Sequence, residues 1–95
     1  MMVHSSGLIV ASEILGPGIG GDLIRFVVSK DDGQTWDFKN ALEYYNPGRP
    51  IGGRACPRTV ELDAKTLGTV FYDIDANQRG GAGVFFLRTP LARFK

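Results

Sequence analysis

A single cysteine, Cys56, stands in 95 residues, so no internal disulfide can form and a reduced, intracellular setting is the default expectation. Charge of neither sign is in excess: 11 Lys and Arg face 10 Asp and Glu, a formal net charge of +1. Without a cationic surplus there is no electrostatic case for nucleic acid or an anionic membrane as partner. Long hydrophobic runs are missing as well, since none approaches the ~20 apolar residues that cross a bilayer. The opening Met1-Met2-Val3-His4-Ser5-Ser6-Gly7 has neither the basic start nor the apolar stretch of a secretion signal, and export is expected only if a leader is missing. Helical periodicity is scarce too. Asp37–Tyr45 has some helical composition, but it is short and keeps no 3.6-residue period, so strand plus loop is expected there.

What the chain does contain is punctuation. Its 13 Gly and 5 Pro separate short segments rich in β-branched and aromatic residues, which reads as a single all-β domain over residues 1–95. A hydrophobic content of 43% with 22% charged residues suits a globular chain. Strands are expected at Leu8–Leu15 and Leu23–Ser29, the latter with Ile24, Phe26 and Val28 on one face and Arg25 and Ser29 on the other. A further short strand is expected from Trp36 to Lys39, then a long loop at Asn46–Arg54. Arg58–Leu62, Thr66–Ile74 and Val84–Arg88 complete the strands, separated by a polar turn at Asp63-Ala64-Lys65 and a polar loop over Asp75–Gly83. Leu91–Lys95 is read as a short addition after Pro90.

Several groups invite chemical readings that their context does not favour. Gly16-Pro17-Gly18-Ile19-Gly20-Gly21 looks like a phosphate loop but precedes a strand, so no helix N-terminus would face the phosphate. Asp73-Ile74-Asp75-Ala76-Asn77 alternates oxygen ligands without the Gly and distal Glu of an EF-hand, and no metal or cofactor is expected. Cys56 has no histidine nearby in sequence and is expected to be a buried, inert thiol. His4 is expected in a mobile terminus, with a surface or interface role. Tyr44-Tyr45, with Pro47 and Arg49, suits either a sugar-stacking platform or packing against a neighbouring repeat unit or subunit.

The stretch Ser29-Lys30-Asp31-Asp32-Gly33-Gln34-Thr35-Trp36 reads S-x-D-x-G-x-T-W between two expected strands. Asp31 can accept bonds from the turn's own N–H groups, and Gly33 supplies a backbone angle costly for other residues. This stretch resembles the Asp-box of sialidases and other BNR-repeat proteins, which closes the hairpin between the third and fourth strands of a propeller blade. There Ser29, Asp31, Gly33, Thr35 and Trp36 would be structural, with Trp36 wedged between blades. The resemblance implies an antiparallel array of four-stranded meanders amounting to about one and a half blades. Residues 7–40 would supply strands two to four of one blade, with His4–Gly7 the tail of a missing inner strand. Residues 55–95 would supply the inner strands of the next.

A chain of fewer than two blades cannot cover both faces of its sheets, so the resemblance also implies a homo-oligomer, or else a different compact β fold built from propeller-derived hairpins or a fragment of a longer product. Loops on the opposite side from the Asp-box would carry any ligand site, and they hold Tyr44, Tyr45, Arg49, Arg54, Arg58, Asp73, Asp75 and Arg79. Arginines there could hold an anion bidentately. No residue matches the family's nucleophilic tyrosine, its glutamate partner or its acid, so no catalytic residue is assigned. The expectation is a non-catalytic module binding carbohydrate or a small anionic ligand. A sialidase-type glycoside hydrolase with a site shared between subunits, or lost with missing sequence, is the first alternative, and a relic fragment without activity the second.

Overall fold

The computed structural model describes residues 1–18, 21–49, 51, 55–77 and 81–94, with backbone alone at 17–18, 21, 74–77 and 81–82. The apolar segments between the glycines and prolines form β1 (Met2–Val3), β2 (Ile9–Gly18), β3 (Gly21–Ser29), β4 (Leu42–Tyr45), β5 (Arg58–Asp63), β6 (Thr66–Asn77) and β7 (Gly81–Pro90). A 3-10 turn, Leu91–Phe94, follows. The protein is all-β: an antiparallel sheet β1-β2-β3-β4 (sheet A) and an antiparallel sheet β5-β6-β7 (sheet B). Among the described residues no helix is long and apolar enough to cross a membrane.

Strand alternation decides which side chains face the other sheet. In sheet A the pairs Val10↔Val28, Ser12↔Phe26 and Ile14↔Ile24 share one face. In sheet B, Thr59↔Thr69↔Leu87 and Phe71↔Phe85 do the same. These two faces pack on each other. Val10, Phe26 and Val28 meet Leu67 and Phe94 in one cluster, while Ile24, Ile51, Ala55 and Phe71 form a second. The sheets stack strand over strand. Ser5, just after β1, donates its N–H to Glu61 of β5 at 2.7 Å. Val10 of β2 meets Leu67 of β6. Tyr45 of β4 lies 5.0 Å from Phe71 of β6 and 5.3 Å from Phe85 of β7, ring centre to ring centre. Such aromatic pairs add to the area term, which is roughly 25 cal/mol for each Å² of apolar surface removed from water.

Four sequence expectations are corrected. The strand expected at Trp36–Lys39 is irregular chain and turn, and the fourth strand of sheet A lies at Leu42–Tyr45. Asp37 donates one bond to the Val28 carbonyl at 2.9 Å, but its carboxylate then caps the Asn40 N–H at 3.2 Å and turns the chain. Sheet A therefore reaches beyond residue 40, and a short strand precedes β2 in it, since Met2 and Val3 pair with Val10 and Ile9. The polar stretch expected as a loop over 75–83 is largely hairpin, with Asn77 paired to Gly81. The ladder shifts register between Asp73 and Asn77, and pairing resumes beyond the shift although the residues there are polar. The segment expected as a short strand after Pro90 is the 3-10 turn, anchored by a bond from Leu91 N–H to the Lys65 carbonyl at 2.9 Å and by buried Phe94 edge-on to Phe26.

Candidate functional site

Because each sheet is a meander, the connections sort to two ends. The β2–β3 hairpin, the β4–β5 connection and the β6–β7 hairpin lie at one end, which we call the loop end. The β1–β2, β3–β4 and β5–β6 turns lie at the other, the turn end.

At the loop end the alternation of β6 that buries Leu67, Thr69 and Phe71 also carries Asp73 inward, where it is fully buried at 0% exposure. A carboxylate there must be paired. Arg49 supplies a two-pronged ion pair, Nη2 to Oδ2 at 2.8 Å and Nη1 to Oδ1 at 3.2 Å. The Tyr45 hydroxyl donates to Oδ2 at 2.6 Å. Burial, and after it the Asp73 carboxylate that accepts its proton, raise the Tyr45 hydroxyl above its ordinary pKa, so it stays a donor at neutral pH. A second acid, Asp22 at the start of β3, fastens the same connection. Its Oδ2 accepts from Ile51 N–H at 2.9 Å, and its own N–H donates to the Arg49 carbonyl at 3.2 Å. Nothing in the sequence marked Asp22, because its role depends on a segment 29 residues away.

The remaining expected site residues do not join this cluster. Tyr44 stacks on Phe26 at 4.2 Å inside the core, and its hydroxyl pairs with Ser12 Oγ at 2.9 Å. Burial raises its pKa. Arg58 is exposed and borders a cleft of about 540 Å³ between the β2 and β5 margins, with Met1, Ser12, Ile14 and Thr59. Arg54 and Arg79 lie outside the described residues, as does the side chain of Asp75. Cys56, expected to be buried, is exposed. It and Ala55 both take left-handed backbone angles, φ 42° and 57°, which tuck the Ala55 methyl into the core and turn the thiol out. Its Sγ lies 3.6 Å from the Tyr72 hydroxyl.

The turn end is built from short-range bonds. Asp31 accepts from Thr35 N–H at 2.9 Å, from the Thr35 hydroxyl and from Ser29 Oγ at 2.8 Å. Ser29 Oγ in turn accepts from Gly33 N–H at 2.8 Å, and Gly33 sits at φ 85°. With the Thr35 hydroxyl first among these donors, the Asp31 carboxyl is pulled from 3.8 down to about 2. Trp36 is half-buried beside Val28.

His4, expected in a mobile terminus, is 1% exposed. Its Nδ1 accepts from Ser6 N–H at 3.0 Å, which leaves Nε2 to donate to the Asp63 carbonyl at 3.1 Å. Glu61 accepts from Ser5 N–H and Ser5 Oγ, and those two bonds lower its pKa. These bonds join the first turn of sheet A to sheet B.

No group of three or more His, Cys, Asp or Glu among the described residues is placed to hold a metal ion. Asp73, the first oxygen of the calcium-like run, is turned inward and committed to Arg49. Compared with protein-family models, curated proteins and solved structures, the chain matches none.

Proposed function

We propose that this chain is a non-catalytic β module of sialidase/BNR-repeat descent, about one and a half propeller blades. In this reading it works as a homo-oligomer and offers its loop end to carbohydrate or a small anionic ligand. One observation carries the non-catalytic part: the acid, the cation and the phenol that meet at the loop end are bonded to one another. Asp73 is fully buried, and Arg49 and Tyr45 both donate to it. Glycoside hydrolysis asks for two carboxyl groups facing the scissile bond, one kept protonated and the other ionised. A carboxylate held by a guanidinium fork is stabilised in its ionised, structural form and is poorly suited to deliver a proton.

The descent is supported by the order of the parts. A four-stranded meander stacks strand over strand on a second meander, and the 29–36 turn between β3 and β4 contains the Ser-x-Asp-x-Gly-x-Thr-Trp pattern. In that frame sheet B is a blade with its first three strands.

The test pairs two assays on the purified, assembled protein. A fluorogenic sialoside should give no turnover above buffer, and a glycan array should give discrete hits. Clear turnover would overturn the non-catalytic reading in favour of a hydrolase whose site spans two copies. An empty array, together with no binding of free sialic acid, would overturn the ligand-binding part.

A further inference from the structure

Among the described residues nothing covers the side of sheet B that faces away from sheet A. Strand pairing places Arg58, Val70 and Phe86 in one row across it, and Val60, Gly68 and Arg88 in the next. Its apolar members are open to water: Val84 is 71% exposed, Phe86 58% and Val60 55%. An apolar sheet face of this kind marks an interaction surface.

The fold itself says what covers such a face. Sheets A and B stack strand over strand, so the operation that carries sheet A onto sheet B carries the inner face of sheet A onto this outer face of sheet B. The inner face of sheet A is covered by a sheet. Repeating the operation lays a third sheet on Val70 and Phe86, and it presents the side that corresponds to the outer face of sheet A. That outer face also exposes apolar groups: Val3, paired with Ile9, at 65%, and Phe38, whose ring lies 5.9 Å from the Arg25 guanidinium, at 55%. It holds Glu13 and Glu43 around Arg25, and Glu13 already pairs with Arg25 at 2.7 Å, which leaves one carboxylate in excess. The sheet B face carries Arg58 and Arg88, and Asp63 at its turn end, which caps Lys65 N–H at 2.8 Å, stands near enough to Arg88 to offset its charge, which leaves one arginine in excess. The two faces therefore match in sign. Packing the sheet B face on its own twin would instead set arginine against arginine.

We propose that a second copy of this chain docks head to tail, the outer face of its sheet A on the outer face of sheet B. The proposal rests on the self-association reading above and adds the surface, the partner face and the symmetry. A head-to-tail contact closes into a ring or runs on as a filament.

Complementary variants test it, with mass read by sedimentation velocity and folding checked by far-UV circular dichroism. Wild type should exceed one chain in mass. Phe86→Glu on the sheet B face and Phe38→Arg on the sheet A face should each be monomeric alone. Mixed, they should form a 1:1 dimer and nothing larger, because each retains one good face and recombination shows that both are folded. Should Phe86→Glu fail to fold, Val84→Glu replaces it. A monomeric wild type would sink self-association and this proposal together. An assembled wild type whose mass none of these variants changes would overturn the surface and leave self-association standing. Phe38→Arg that still self-associates while Phe86→Glu does not would overturn the head-to-tail arrangement in favour of a twofold contact.

Discussion

At Asp31 three donors converge on one exposed carboxylate, and the sign of the resulting pH dependence follows directly. Its folded value of about 2 lies below the ordinary 3.8, so between those pH values the unfolded chain binds a proton that the folded chain refuses. Stability from this residue is fully present above about pH 4 and drains away as pH falls toward 2. In urea melts across that window, Asp31→Asn should show a shallower pH slope than wild type, and the difference between the two should vanish near pH 2. An equal slope in both proteins would remove the Thr35 and Ser29 bonds as its cause. Asp73 poses a different problem because it is fully buried. Asp73→Ala leaves the Arg49 guanidinium and the Tyr45 hydroxyl without this acceptor, and a cost of about 3 kcal/mol in denaturant unfolding is expected. Asp73→Asn, which keeps an acceptor, should cost less.

Among the elements, β6, like β3, supplies buried residues to both core clusters. It contributes Leu67 to one and Phe71 to the other, and Phe71 also contacts Tyr44, Tyr45 and Phe85. Phe71→Ala should therefore lower unfolding stability by about 3–5 kcal/mol. Lys65→Ala, at an exposed position of the β5–β6 turn whose bonds to Asp63 and Leu91 run through its backbone, should stay within about 0.5 kcal/mol. Thermal or denaturant melts of the two variants make the comparison. Strands such as β3 and β6 were legible in the sequence because their alternation is clean: Ile24, Phe26 and Val28 all turn inward. The fourth strand was not, since Leu42-Glu43-Tyr44-Tyr45 is four residues long and carries no alternation against its flanks. A shift in its pairing with β3 between Ile24 and Arg25 turns both tyrosines toward the core, so a pair that read equally well as a sugar platform became packing. The Asp73–Arg49 pair spans 24 residues, a distance over which local patterns carry no information. Only the placement of the loops on one end brought those two residues onto the same list of candidates.

For the whole molecule, the radius of gyration of 13.8 Å and the flat 42 × 28 × 18 Å outline describe two stacked sheets with outward faces unequal in character. If copies cover one another, melting becomes a bimolecular matter. The midpoint temperature should then fall as the protein is diluted, by mass action, whereas a self-sufficient subunit would melt at a temperature independent of concentration. Differential scanning fluorimetry over a hundredfold dilution series separates the two. Glu61 and His4, which tie the first turn of sheet A to sheet B, belong to the subunit and not to the contact, so Glu61→Gln should shift every point of that series by a similar amount.

The strand β7 has a neighbour on one side only among the described residues, and it runs for 10 residues. Every second amide along it points away from β6. In deuterated buffer those amides should exchange within the dead time of the measurement, while their alternate neighbours, locked into the ladder, persist. Stacking by faces leaves this margin bare, so the fast half of β7 should stay fast however concentrated the sample. Protection that spreads to it on concentration would reveal that copies meet along their borders, extending the sheet sideways in place of layering it.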